Sequence, residues 1–334
     1  MLGRARTFVV ALALLGPVVV AAGPAGSADR DRSEERAQGK RHSHPAGDMP
    51  ARFVAEAGGR IVVVEAATGH AERYLTADKP GGGAADPAVS PDGRSVWFSR
   101  TDGDCAAHLA SVPVGGGKEE AVPGSGEAGP EERPLPRPGY AQLAFTRTDC
   151  DEPTESLFVT DIKGLEGYGQ TGLLPTAWSR NGQHLLARSS DGREVRLLTV
   201  NNAGAIVDNT LLAPPDRSKD CRLDVVGFSP DDNGGYVALR RCEEAGEGAR
   251  RSLVLLNRKG EQRKVVVRLR RGHDFVDRIA FDPTGRSLLF STAPTARRAD
   301  ARHAAPEVTL WLWRDGTVKR VIRDSPYRHP AWLP

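Results

Sequence analysis

A short turn unit, Ser90-Pro91-Asp92-Gly93, is the feature that most constrains the fold of this 334-residue chain. Pro91 fixes φ near the value that the second position of a type I turn requires, and Asp92 can accept a hydrogen bond from its own backbone. Gly93 can adopt the left-handed conformation that closes a hairpin. Because apolar residues lie on both sides of the turn, the unit predicts two antiparallel strands joined by a tight connection.

Variants of this unit recur along the chain. Each has a small residue and an aromatic residue before the turn and an apolar run of strand length after it: Ala177–Ala187, Gly227–Leu239 and Ala280–Phe290. Downstream of these units, apolar runs end at six glycines that are each followed by another strand-like segment: Gly69, Gly116, Gly164, Gly204, Gly260 and Gly316. Those glycines are 47, 48, 40, 56 and 56 residues apart, so one structural unit repeats along the chain.

The length of this repeat determines the architecture. A period in this range that contains four short strands is typical of a β-propeller blade. One four-stranded sheet cannot bury both of its faces alone, so the blades must stack around a common axis. Residues 51–334 divide into six blades of about 47 residues each. The sequence therefore predicts an all-β fold, a six-bladed propeller of four-stranded antiparallel blades.

The repeats also predict the bounds of the blades, which we number along the chain. Blade one begins near Arg52, and the later blades span about 85–122, 134–170, 174–213, 222–270 and 275–323. The Gly- and Pro-rich segment Pro123–Pro138 is predicted to be a loop between blades two and three. Pro330–Pro334 matches the start of a blade, whereas blade one lacks a first strand. The C-terminal strand is therefore predicted to close the ring, with Trp332 at the position that Trp178 holds in blade four.

The Ser-Pro-Asp-Gly turn with its flanking strands resembles the WD40-like (PD40) repeat of TolB-type β-propellers. The resemblance covers nearly all of residues 51–334. It implies little about activity, because such repeats occur in binding proteins and as domains of peptidases. It implies that a partner segment would bind at the mouth of the central channel.

The N-terminal residues 1–28 are predicted to be a secretory signal peptide. Arg4 and Arg6 precede the apolar run Thr7–Ala22, and small residues near Ala22 and Ala28 offer cleavage sites. An uncleaved membrane anchor is the alternative, although the run is short for a membrane span. Residues 29–50 mix acidic and basic side chains with almost nothing apolar, so a disordered charged linker is predicted there. The chain is thus expected to be secreted or held in the cell envelope, without a membrane span after signal cleavage.

Charge and composition exclude one class of partner. The formal net charge is +3 in a chain with 27% charged residues, which argues against nucleic acid as a general partner. The most basic window, Arg258–Arg271, coincides with the predicted outermost strand of blade five. Basic side chains on an exposed strand edge prevent edge-to-edge pairing. That explanation is favoured over an anion-binding patch.

The four cysteines predict two disulfides in an exported chain. Cys221 and Cys242 flank a predicted hairpin centred on the turn at residues 231–232, so they would face each other across its strands. Cys105 and Cys150 are 45 residues apart, about one blade, and occupy equivalent positions in adjacent blades. No Cys-x-x-Cys motif occurs, so a redox or zinc site is not indicated.

No catalytic, metal or cofactor motif stands out, and we predict no catalytic residue, no metal ligand and no cofactor. Glycine runs near residues 82 and 116 do not open helices, which argues against phosphate-binding loops. Six histidines are scattered along the chain: His70, His108, His184, His273, His303 and His329. Carboxylates are concentrated in predicted loops: Asp102, Asp104, Asp149, Asp151, Glu152 and Asp161. The tryptophans fall on predicted strands, where blade packing is favoured over sugar stacking.

Two functional interpretations remain. The first is a secreted, non-enzymatic and monomeric propeller that binds a peptide or protein partner through its loop-lined face or channel mouth. The second is a secreted hydrolase of a glycan or small ester, with carboxylates or histidines at the propeller axis. The lack of a motif favours the first. Recognition is predicted in the loops that vary most between repeats: Pro123–Pro138, Asp149–Ser156, Glu243–Arg251 and Pro294–Arg302.

Overall fold

The structure is a computed structural model that describes residues 51–80, 82–103, 105–152, 154–163, 167–212, 221–230, 234–242, 250–282, 285–294, 308–314 and 316–334. These residues all lie in one compact unit, Gly47–Pro334. The signal peptide and linker predicted for residues 1–50 lie outside this range and stay predictions, as do the loop residues 243–249 and 295–302. In the described part of the chain, no helix has the length and apolar character needed to cross a membrane.

The described residues form strands joined by turns and loops. The first part of the chain contributes β1 Arg52–Ala57, β2 Arg60–Glu65, β3 Ala71–Tyr74, β4 Gly83–Val89, β5 Ser95–Thr101, β6 Ala107–Pro113, β7 Glu120–Ala121, β8 Glu131–Pro136, β9 Gln142–Thr148, β10 Glu155–Asp161 and β11 Tyr168–Thr171. The remainder contributes β12 Leu173–Trp178, β13 His184–Ser189, β14 Val195–Val200, β15 Ile206–Leu212, β16 Cys221–Phe228, β17 Tyr236–Cys242, β18 Arg250–Leu256, β19 Gln262–Arg268, β20 His273–Phe281, β21 Ser287–Pro294, β22 Thr309–Arg314, β23 Thr317–Ile322 and β24 Arg328–Trp332.

These strands form six four-stranded antiparallel sheets, which confirms the predicted six-bladed β-propeller. Five blades use four consecutive strands, with the first strand innermost and the fourth at the outer edge. Blade one has the order β24-β1-β2-β3, in which Trp332 pairs with Phe53 and Ala331 pairs with Val54. The C-terminal strand therefore supplies the inner strand of blade one and closes the ring, as predicted.

The hydrophobic core is divided into layers between neighbouring blades. Phe53 and Trp332 of blade one pack with Leu289 of blade six, while Val54 on the opposite face of β1 packs with Phe98 of blade two. The other four clusters join blades two and three, three and four, four and five, and five and six. Because each sheet buries apolar residues on both faces, no blade has a complete core alone, and the stability depends on ring closure.

The turn that defines the repeat has the same geometry in three blades. The Gly93 amide donates to the Ser90 carbonyl at 2.8 Å, and equivalent bonds close the turns at Gly182 and Gly285. The Ser90 hydroxyl donates to the Asp92 carboxylate at 2.5 Å, and that carboxylate accepts the Arg94 amide at 3.1 Å. The φ of Gly93 is +69°, the left-handed value that a side chain disfavours.

One predicted loop is wrong in part. The sequence assigns Pro123–Pro138 to a loop, but Glu131–Pro136 within it is β8, the inner strand of blade three. Its prolines favour a loop, but an inner strand tolerates them because one of its edges has no partner strand. Arg137 directly after β8 is fully buried rather than displayed for recognition.

Two disulfides connect the pairs that the sequence predicts. Cys221 and Cys242 are directly opposite each other in the β16–β17 ladder, with their Cα atoms 4.0 Å apart. Cys105 and Cys150, in the loops that follow β5 and β9, join blades two and three across a Cα distance of 6.1 Å. Both bridges lie on the face formed by the loops between second and third strands. They are compatible with an extracytoplasmic location.

Candidate functional site

The inner strand of every blade shifts its register against the second strand. In each case the inner strand has more residues between paired positions than its partner, which is the pattern of a β-bulge. The residues at these shifts, from blade one to blade six, are His329–Pro330, Asp86–Pro87, Arg133–Pro134, Thr176, Val226 and Asp277–Ile279. A bulge changes the direction in which the side chains of its strand point, and all six bulges lie on the strands that surround the axis of the ring.

Three of these bulges contain a polar residue with strained backbone geometry. Asp86, Arg133 and His329 have φ values of 53°, 57° and 47°, which is the left-handed region that non-glycine residues rarely adopt. Each is followed by a proline in the sequence. Such a conformation costs on the order of 1–3 kcal/mol and is concentrated at functional sites. The same strained unit in three neighbouring blades therefore identifies the axis as the candidate site.

Polar and charged side chains from four blades meet around Asp86 of blade two. Arg278 of blade six places Nη2 3.6 Å from the Asp86 Oδ1, and His329 of blade one places Nε2 3.8 Å from the same oxygen. Arg278 is 27% exposed, Asp86 14% and His329 29%, measured on the side chains. Glu132 and Arg133 of blade three complete this group, which we call the axial cluster.

The electrostatics of the axial cluster couple its members. Burial lowers the pKa of Arg278, an effect that Asp86 opposes and Arg133 reinforces. Burial also raises the pKa of Glu132, and the negative charge of Asp86 raises that pKa further. The positive charge of Arg133 lowers the pKa of Glu132 only in part, so the protonated, neutral form of Glu132 is favoured. The cluster can donate several hydrogen bonds to an anionic group while Asp86 accepts one.

A second charged group lies where blade one connects to blade two. Lys79 donates a short hydrogen bond to Asp102, and His108 Nδ1 lies 3.3 Å from the other Asp102 oxygen. The Lys79 hydrogen bond lowers the pKa of Asp102 below its usual range. Lys79 and His108 line a cleft of about 350 Å³. Asp102 already contacts both Lys79 and His108, so we assign it a structural role in holding the connection between blades one and two.

The histidines and carboxylates noted in the sequence do not assemble at one place. His329 belongs to the axial cluster and His108 to the Asp102 group, whereas His303 and Asp104 lie outside the described residues. His184 faces Thr199, with 3.4 Å between its Nδ1 and the hydroxyl. Across the described ranges, no three His, Cys, Asp or Glu side chains are grouped so that they could hold a metal ion.

Most of the axial cluster is not evident from the sequence. Of its five members only His329 stands out there, as one of several scattered histidines. A signal was available, because a polar residue before proline recurs at the start of three blades, in Asp86-Pro87, Arg133-Pro134 and His329-Pro330. Arg278 has no proline after it, so only the structure reveals its position.

With the ring and its axis described, the protein can be compared with solved structures. Its fold is similar to that of TolB. The Agrobacterium tumefaciens structure assigned to TolB superposes with a TM-score of 0.54 and 14% identity, over 83% of this chain and 90% of that one. TolB from Acinetobacter baumannii gives a TM-score of 0.55 and 10% identity, over 85% of this chain and 66% of that one.

The TolB comparison shows the fold alone, because the identities are low. A structure from a study of two prolyl endopeptidases also matches, with a TM-score of 0.49 and 13% identity, over 82% of this chain and 48% of that one. No family model matches the sequence, and the curated proteins contain no significant match.

Proposed function

We propose that this protein is a secreted, non-enzymatic β-propeller that binds an extended peptide segment of a partner at its central channel. The observation that carries the proposal is the strained backbone at Asp86, Arg133 and His329, which brings polar side chains from three blades to one axis. Strain of this kind persists only where the surrounding structure enforces it. A strained backbone with polar side chains at a channel is a recognised mark of a binding site.

The charges of the axial cluster suggest which peptide groups it recognises. Arg278 and Arg133 offer guanidinium groups that suit a carboxylate, such as a peptide C-terminus or an acidic side chain. Asp86 offers an acceptor for a backbone amide or an amino group. The channel would thus select a segment with a carboxylate close to a hydrogen-bond donor. The fold likeness to TolB is compatible with this role.

Secretion is part of the same proposal. The predicted signal peptide in residues 1–28 and the two disulfides both favour an oxidising compartment. The partner would then be an extracytoplasmic protein, and the propeller would act as a monomer.

A peptide array tests the proposal. The mature protein should bind a subset of linear peptides, and Arg278→Gln should weaken this binding at least tenfold, since a charge-assisted hydrogen bond is lost. Asp86→Asn should change which peptides bind. Arg94→Gln is the matched control, because Arg94 sits in the exposed turn with its side chain 86% exposed. Equal loss of binding in Arg278→Gln and Arg94→Gln would contradict a channel site.

One observation favours the hydrolase alternative. Burial and the negative charge of Asp86 raise the pKa of Glu132. Glycosidases use two carboxyl groups in this way, one with a raised pKa as the general acid and one ionised as the base or nucleophile. The mature protein should therefore be screened against glycoside, ester and peptide panels. Turnover that disappears in Glu132→Gln, while Arg94→Gln keeps it, would replace the binding proposal with the enzymatic one.

A further inference from the structure

A separate cleft of about 440 Å³ opens between blades five and six. One wall comes from the end of β19 and the residues after it, and the other comes from β21, β22 and β23. None of the axial cluster residues lines it. Its volume falls within the range of sites for small organic ligands, about 300–1,000 Å³.

The floor of the cleft is apolar and held in place. Phe290 and Trp311 are directly opposite each other in the β21–β22 ladder, and Phe290 is almost fully buried. The Trp311 indole nitrogen donates to the Thr292 hydroxyl at 2.9 Å, so its polar edge is satisfied. Val318 on the outer strand β23 contributes further apolar surface. The floor can therefore contact an aromatic or aliphatic group without leaving a buried polar atom unpaired.

Four arginines surround this floor. Arg268 and Arg270 come from blade five, and Arg320 and Arg323 come from blade six. All four side chains are exposed, and none makes a hydrogen bond or ion pair with another described residue. No Asp or Glu of the described chain lines the cleft. Four like charges around one cleft repel each other, so an anion bound between them would relieve that repulsion.

Edge protection does not explain this arrangement fully. Basic residues along β19 protect the exposed edge of blade five, as the sequence suggests. Edge protection does not require arginines from β19 and β23 to converge on one cleft with an aromatic floor. The tertiary structure thus favours the anion-binding alternative that the sequence alone ranked second.

We propose that this cleft binds an apolar organic anion, with its ring or chain on Trp311 and Val318 and its carboxylate or sulfonate on the arginines. Planar guanidinium groups match such anions with paired hydrogen bonds, and the aromatic floor selects the apolar part. The ligand is either a free organic acid or the same group at the end of a peptide. The site is distinct from the peptide-binding channel and does not depend on it.

Fluorescence titration tests this proposal with 8-anilinonaphthalene-1-sulfonate, a dye that combines aromatic rings with one sulfonate. The folded wild-type protein should bind the dye, and Arg320→Gln should weaken the binding at least tenfold. Lys319→Gln is the matched control, because Lys319 is the adjacent exposed residue of β23 but does not line the cleft. It should change the affinity by less than twofold. Arg323→Gln provides a second variant on the same rim.

Competition then defines the ligand. 2-Naphthoate should displace the dye, and its neutral amide should not. A short peptide that ends in naphthylalanine is compared with free 2-naphthoate, and the stronger competitor identifies the source of the anion. Equal competition by acid and amide, or equal dye binding by Arg320→Gln and Lys319→Gln, would overturn the proposal. Arg278→Gln should leave dye binding unchanged, so failure here is distinguishable from failure of the channel proposal.

Discussion

The indole nitrogen of Trp332 donates a hydrogen bond of 2.9 Å to the backbone carbonyl of Ala280. Trp178 makes the equivalent bond, also 2.9 Å, to the carbonyl of Leu135. In both bonds the donor lies on the inner strand of one blade and the acceptor on the inner strand of the preceding blade. Each acceptor, Ala280 or Leu135, is the first paired residue after the bulge of its own strand. The last strand of the chain therefore makes the same contact as the first strand of an ordinary blade.

Trp332→Ala is expected to destabilise the ring. Trp332 is 5% exposed, and truncation of a buried Trp typically costs about 3–5 kcal/mol. Deletion of Arg328–Pro334 should cost at least as much, because it also removes the inner strand of blade one. Thermal unfolding measures both effects, and Trp178→Ala provides the equivalent change in blade four. A truncated protein that melts at the wild-type temperature would rule out closure by β24.

The turn at Gly93 should not tolerate a side chain. A Cβ at this position would lie 2.5 Å from the Cγ of Pro334, and the positive φ adds strain. Gly93→Ala should therefore cost about 2 kcal/mol or more, from overpacking and from the left-handed backbone. Gly58→Ala is the matched control, because Gly58 has φ +58° with no atom within 4 Å of a Cβ. Equal melting temperatures for the two variants would show that Pro334 does not pack on the turn.

Arg137 should be needed to hold blade three against blade four. Its buried guanidinium donates to the carbonyls of Gly182 at 2.6 Å, Asn201 at 2.7 Å and Val200 at 2.8 Å. Arg137→Met would remove the guanidinium donor from all three carbonyls, at about 1–3 kcal/mol for each that stays unsatisfied. The Asn201 carbonyl keeps the Gly204 amide as a donor, so the main cost falls on Gly182 and Val200. Arg137→Lys keeps the charge but cannot reproduce the planar set of donors. Urea unfolding should show both variants clearly destabilised, and a wild-type midpoint for Arg137→Lys would contradict this role.

The disulfide of blade five should stabilise the protein measurably. Replacing Cys221 and Cys242 together by alanine opens a loop of 21 residues, which costs about 3 kcal/mol in the chain-entropy description. Thermal unfolding of the double variant measures this loss. Peptide mapping without reductant should yield Cys221–Cys242 and Cys105–Cys150 peptides. A Cys105–Cys221 peptide would contradict both pairings.

Glu132 should make the stability depend on pH in a defined direction. Because burial and Asp86 raise its pKa in the folded state, the folded protein binds this proton more tightly than the unfolded chain. The resulting stabilisation is present below the unfolded value of 4.5 and is lost as the pH rises through the folded pKa. Glutamine cannot lose this proton. The melting temperature of Glu132→Gln should therefore increase relative to that of the wild type as the pH is raised from 4 to 7.5.

A charge control accompanies the pH measurement. Glu120→Gln on the exposed strand β7 removes one carboxylate at the surface. If the two glutamine variants follow the same pH profile, the buried position of Glu132 has no part in the effect.

The sequence by itself determined the repeat, the blade number and the cysteine pairs. These features depend on local chemistry: the turn residues, the period of the apolar runs and the spacing of cysteines across a hairpin or a blade. Even ring closure was predictable, because Pro330–Pro334 matches the start of a blade that the N-terminal part lacks. Pro123–Pro138 is the exception, since prolines there favoured a loop and the free edge of an inner strand accommodates them.

Only the tertiary structure decided where the candidate sites lie. Asp86, Arg278 and His329 are far apart in the chain, and they meet only because three different inner strands surround one axis. Arg268 and Arg320 likewise belong to separate blades and line one cleft only after the blades stack. Local propensity carries no information about contacts between side chains of different blades, because these contacts depend on how whole blades pack against each other.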